Sequence, residues 1–241
     1  MNGVPSQDVC ALLVAAQICD PSGVRRSDPA ALELLRRASG ELVAGQAGLL
    51  ALPGVVAPDG VLSLTPSSPE AVVEIVLAVA SSARPERTTF CLAMRMPDDL
   101  IRERPEDGLT HTPTRELEIA VLGAHAADAL TRAGLAETDH RDSRVRVLGP
   151  GAARALSAAL DLLLEAYDSM TERQRQIIRL VKSARTQQDV ATHLGISRQA
   201  VNQSLASARW PHLDSAERHI GASLTDLCAS SPMRSERGEA E

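Results

Sequence analysis

The sequence predicts an α+β protein with an all-α segment near its carboxyl end, on three observations. Short apolar runs alternate with helical patterns through residues 1–150. From Thr171 onward the pattern changes to short helices with strong start signals. Hydrophobic residues make up 44% of the chain, yet only Phe90, Tyr167 and Trp210 are aromatic, so Ala, Leu, Val and Ile must fill the core.

Val9–Ile18 reads as a buried strand. It is about half the length needed to span a bilayer and no basic region precedes it, so neither a membrane span nor a signal peptide is expected. Pro29–Ala44 sets Leu32, Leu35, Leu42 and Val43 at roughly helical spacing. Leu49–Val56 and Val61–Leu64 are strands joined by a turn through Pro58-Asp59-Gly60. Ser68 as N-cap and Pro69 as first helical residue predict a buried helix through about Ala80. Thr88–Met96 is a strand. A helix over Thr114–Ala133, a strand at Arg144–Leu148 and a helix at Ala152–Ala166 follow. The order β-α-β-β-α-β is ferredoxin-like: an antiparallel sheet with helices on one face. The expected division is a sheet domain at 1–150, a connecting helix at 151–168, a helix-turn-helix domain at 169–228 and a disordered tail at 229–241, rich in Ser, Arg and Glu.

Thr171-Glu172-Arg173-Gln174 is a capping box, and Ile177, Leu180 and Val181 form the apolar stripe behind it. Thr186 caps a second helix over Gln187–Leu194, and Gly195 stands where a left-handed residue is needed. Ser197 caps a third helix to about Trp210, ended by Pro211. A helix as short as the second is marginal alone, so it must pack on its neighbours. Small Ala191, Gly195, Ile196, and Val201 with Leu205 supply the close crossing of a helix-turn-helix. A helical hairpin or protein-docking surface is the competing reading.

The net charge is −6, but residues 168–219 hold 8 basic and 5 acidic side chains, against 15 and 22 in residues 1–167. A basic stretch in an acidic chain suits contact with nucleic acid. On the third helix Val201, Ser204, Leu205 and Ala208 share one face, with Gln199, Asn202, Gln203, Ala206 and Ser207 opposite. Arg198 and Arg209 border that second face, which carries no carboxylate. Amides pair bidentately with adenine edges and arginine with guanine. Arg173, Arg175, Arg179, Lys182 and Arg185 are candidate phosphate contacts, and the caps Thr186 and Ser197 complete the DNA-binding set. Trp210 is expected to anchor the third helix. One helix-turn-helix covers one half-site, so a homodimer on double-stranded DNA is expected.

The four cysteines lack C-x-x-C spacing, which disfavours zinc and disulfides and fits a reducing cytoplasm. Gly-x-Ser-x-Gly, His-Glu-x-x-His and Walker-type loops are absent, so no catalytic residue, metal or cofactor is expected.

Thr171 through Arg209 resembles the helix-turn-helix of response-regulator output domains and sigma-factor promoter-reading domains. From about Val9 to Ile220 the chain resembles the SatD family. That likeness rests on Val9–Ile18, Asp59–Thr65, Pro69–Ile75 and Ser207-Ala208-Arg209-Trp210. It implies an N-terminal domain similar in topology to class III nucleotide cyclases, joined to a helix-turn-helix. Related members carry Gly-Asp at the end of the first strand, where cyclases place a metal-binding Asp, but here the pair is Ala16-Gln17. The family's second acidic turn is Pro58-Asp59-Gly60-Val61. A two-metal phosphoryl site needs carboxylates, which Gln17 and a lone Asp59 do not supply, so no cyclase activity is expected. Asp20 is read as a turn residue before Pro21. A nucleotide-binding sensor or cyclase-like enzyme is the alternative.

Overall fold

The computed structural model describes residues 12–20, 24–45, 48–94, 143–148, 151–183 and 186–230. The predicted helix over Thr114–Ala133 lies outside them, as does the tail beyond Ser230. β1 (Leu12–Cys19), α1 (Pro29–Gly45), β2 (Leu50–Val56), β3 (Val61–Pro66), α2 (Ala71–Ser82) and β4 (Arg87–Met94) follow the predicted order. The strands lie β2-β3-β1-β4 and pair antiparallel, with Val14 opposite Leu64 on one side and Leu92 on the other.

β5 (Val145–Leu148) adds to the β4 edge in parallel. The sheet is therefore mixed, not wholly antiparallel. A parallel neighbour needs a crossover of a dozen residues or more, and the chain between Met94 and Val145 far exceeds that.

β1 buries both faces, as its apolar run, broken only by Gln17, requires. Leu12, Val14, Ala16 and Ile18 join the large core beneath the helices, while Leu13 and Ala15 cluster with Val61 and Cys91 on the other face. α1 starts at Asp28, whose Oδ1 accepts from the Ala30 and Ala31 N–H groups at 3.1 Å. Ala31, Leu35, Ala38 and Leu42 line its inner face. Val43, read from sequence as part of that stripe, is 52% exposed, one helical step round from Leu42. α2 begins at Ala71 rather than Pro69. Ser68 accepts from the Ala71 N–H only at 3.4 Å, and a tighter turn through the Ser68 and Pro69 carbonyls leads the chain in.

α3 (Ala153–Asp168) turns Leu156, Leu160, Leu163 and Leu164 onto the sheet's helical layer. Beyond it come α4 (Glu172–Lys182), α5 (Gln187–Leu194) and α6 (Arg198–Ser207). The largest departure follows. The third helix of this set closes at Ser207, Arg209 turns left-handed at φ 53°, and a further helix, α7, runs from Trp210 to Ser230. Pro211 does not end a helix but sits in the first turn of the next. Its missing N–H costs nothing there and its fixed φ suits the start.

Two large hydrophobic clusters result, besides the small one on the sheet's far face. The larger holds the sheet, α1, α2 and α3; the smaller holds Met170, Ile177, Ile178, Val190, Ala191, Val201, Leu205, Ala208 and Trp210. α7 enters both, with Trp210 in the smaller and Ile220, Leu224, Leu227 and Cys228 in the larger. Tyr167 and Leu213 pack against each.

Candidate nucleic-acid interface

Each of the three short helices is fixed at its start by a side chain. Thr171 Oγ1 accepts from the Gln174 N–H at 3.2 Å, and Gln174 Oε1 accepts from the Thr171 N–H at 2.8 Å. Gln174 Nε2 also donates to Ser207 Oγ at 3.0 Å, tying α4 to the end of α6. Thr186 and Asp189 form a second reciprocal pair at 3.1 Å in each direction. Ser197 Oγ accepts from the Ala200 N–H at 3.1 Å.

Between α5 and α6 the chain reverses over Gly195, at φ 64°. Its N–H donates to Thr192 O at 3.3 Å, and the Ile196 N–H to Ala191 O at 3.0 Å, closing the helix end. A Cβ added at Gly195 would meet nothing within 4 Å, so the backbone conformation, not space, requires glycine.

Val201 and Leu205 bury the inner face of α6 against Ile177, Val190 and Ala191. Arg198, Gln199, Asn202, Gln203, Ala206 and Ser207 are all exposed, as their spacing predicts. The ten residues of α6 include no acid. Trp210 is 8% exposed within the smaller cluster and anchors the start of α7 rather than the end of α6.

The basic candidates separate. Arg173 is exposed; it donates to Gln176 Oε1 at 3.0 Å and to the Leu194 carbonyl at 3.2 Å, so it also closes α5. Arg175 is turned inward onto the Met170 carbonyl and Glu172. Arg179 is exposed and pairs with Glu172 at 2.8 Å. The Arg175 hydrogen bond is the main cause that holds the Glu172 carboxyl below its usual range. Lys182, read as a phosphate contact, is instead held by Glu217, with its ammonium 5.8 Å from the Tyr167 ring and 5.4 Å from Trp210. Arg209 is exposed but stands beyond α6 in a left-handed conformation, so the helical spacing linking it to Arg198 does not apply. Arg185 lies outside the described residues. The anchors Glu217 and Ser207 went unread; Ser207 has no local signature as a partner of Gln174, and Glu217 lies on a helix the sequence pattern ends too early.

Among the described residues, Gln17 and Asp59, the positions compared above with the cyclase carboxylates, form no carboxylate pair. Gln17 Nε2 lies 3.7 Å from Cys19 Sγ, and Asp59 pairs with Arg25 at 3.4 Å. Asp20 accepts from the Val24 N–H at 2.9 Å, the turn role expected of it. Burial pushes the Cys91 thiol up to about 12, which keeps it an inert core residue. Among the described residues, no three of His, Cys, Asp and Glu come together to hold a metal, and no helix is long and apolar enough to cross a membrane.

No curated protein and no solved structure matches the chain. Residues 166–209, from the end of α3 through α6 to Arg209, match the family described as Sigma-70, region 4. The C-terminal part of this chain is thus a helix-turn-helix unit similar to sigma-70 region 4.

Proposed function

We propose that this protein binds double-stranded DNA and regulates transcription, with α6 laid in the major groove. The observation that carries this reading is the exposed, acid-free face of α6, mounted on a unit that matches sigma-70 region 4. Arg198, Gln199, Asn202 and Gln203 read base edges; Arg173 and Arg179 stand on the exposed side of α4 for phosphates. The SatD-like arrangement supports a sheet domain that dimerises or senses, so that two copies cover two half-sites, in a cytoplasmic protein. No enzymatic role is proposed: Gln17 is neutral and the Asp59 carboxylate is paired with Arg25.

Selection from a random duplex library, then anisotropy on a retained site, tests this. Arg198→Ala should weaken binding by about 1–3 kcal/mol and relax specificity at one position. Affinity should fall steeply as salt rises. A protein that retains no duplex at low salt would refute the proposal.

A further inference from the structure

Where a backbone must turn left-handed, glycine does so without steric penalty. Among the described residues, positive φ falls on Gly48, Gly60, Gly151 and Gly195, and on one residue with a side chain, Arg209 at φ 53°. Any side chain is strained there, because Cβ crowds the following carbonyl oxygen. The turn itself asks nothing of the guanidinium. Its bonds run through the backbone: the Arg209 N–H donates to Ala206 O at 3.0 Å, and Arg209 O accepts from the His212 and Leu213 N–H groups at 3.0 and 3.2 Å. Glycine would make all three.

Nothing inside the protein offsets the strain. Arg209 is exposed, and among the described residues its guanidinium makes no hydrogen bond and no ion pair. Arg175, Arg179 and Lys182 of the same unit are all ion-paired. Arg198, the first residue of α6, is unpaired like Arg209, so an uncommitted guanidinium stands at each end of that helix. Strained residues cluster where a chain meets its ligand. Ten helical residues span about 15 Å, somewhat more than the ~12 Å width of a major groove. With Arg198 to Gln203 on base edges, the last turn of α6 therefore reaches the groove's phosphate wall.

We propose that Arg209 holds a phosphate of the DNA backbone at the C-terminal end of α6, and that a strained arginine stands where glycine would fit because glycine has no charge to offer. Arg209 is then a positioning residue: it fixes α6 on the duplex and reads no base, unlike the guanine-pairing role that helical spacing alone gives it. This assignment rests on the DNA-binding reading above, and its test separates the two.

The full chain and three variants are compared by anisotropy on a selected duplex and on a random one across a salt series, with thermal unfolding alongside. Stability and binding should move in opposite directions. Arg209→Gly relieves the strain and should raise Tm by about 2–4 °C, yet weaken both duplexes about three- to tenfold. The slope of log affinity against log salt should fall by about 0.9, the mark of one lost phosphate contact, with the ratio between the duplexes unchanged. Arg209→Asn tolerates the left-handed region and should lose binding equally, without the backbone freedom of glycine. Arg209→Lys keeps the charge and should keep the parent's salt slope. A slope unaltered in Arg209→Gly and Arg209→Asn, a Tm lowered by glycine, or a changed ratio between the duplexes would each overturn the assignment while leaving DNA binding in place. A parent chain that holds no duplex would overturn both, and Arg209→Gly would then show only its gain in Tm.

Discussion

α2 and the three helices α4, α5 and α6 keep their shape by opposite means. α2 buries eight of its twelve residues and has no side-chain cap. α4 buries two of eleven, α5 two of eight and α6 two of ten, and each begins with a side chain bonded to its first turn. Burial of a branched apolar side chain is worth about 1.5–3 kcal/mol, so α2 has no need of ornament at its ends. Two buried residues cannot hold a short helix alone, and bonds at its ends and turns supply the difference. The faces left over on α4 to α6 are then free for another molecule. A helix held by its ends can offer its side to a partner; one held by its sides cannot.

This contrast can be broken or sharpened by substitution. Ile177→Ala opens a hole in the smaller cluster of nine buried residues and should cost about 2–5 kcal/mol, read by urea denaturation through Trp210 fluorescence. A cost well under that range would mean the trihelical unit does not share one core.

Two glycines separate strain from space. At Gly60, φ is 88° and an added Cβ would lie 2.6 Å from the Arg26 carbonyl oxygen, so Gly60→Ala should cost about 3 kcal/mol. At Gly195 only the backbone conformation is penalised, and Gly195→Ala should cost about 1 kcal/mol. Thermal unfolding of both variants compares them, and equal losses would refute the distinction.

Thr186→Ala removes a reciprocal cap and should cost about 1 kcal/mol, whereas Ser68→Ala, ahead of α2, should lie within about 0.5 kcal/mol of the parent. A larger loss at Ser68 would undo the contrast between capped and buried helices. The smallest effect is at Glu172. Its carboxyl is lower in the folded chain than in the unfolded one, so the stability it adds is present above the ordinary carboxylate range and is lost as pH falls through the depressed folded value. Glu172→Gln should flatten that part of the acid limb of a melting-temperature profile. An unchanged limb would remove the Arg175 and Arg179 contacts from the stability of α4.

Much of this was legible along the chain because it is local. The caps at Thr171, Thr186 and Ser197, the left-handed Gly195 and the outward face of α6 each depend on residues within a turn of one another. What escaped is long-range or two-sided. Pro211 carries a stop signal and a start signal in the same ring, and only packing selects between them. The parallel seat of β5 depends on a crossover, and the hold of Glu217 on Lys182 spans 35 positions. Neither leaves a periodic trace.

The path of α7 decides how α6 is carried. The chain leaves the sheet's helical layer at Asp168, makes its three short helices, and returns along α7 to lodge Ile220, Leu224 and Leu227 in the larger cluster, against α2 and α3. The trihelical unit is therefore spliced into the body rather than hung from its end. A fragment cut after Arg209 would uncover the main core, and any rotation of α6 must pivot at two joints together, near Ser169 and at Arg209.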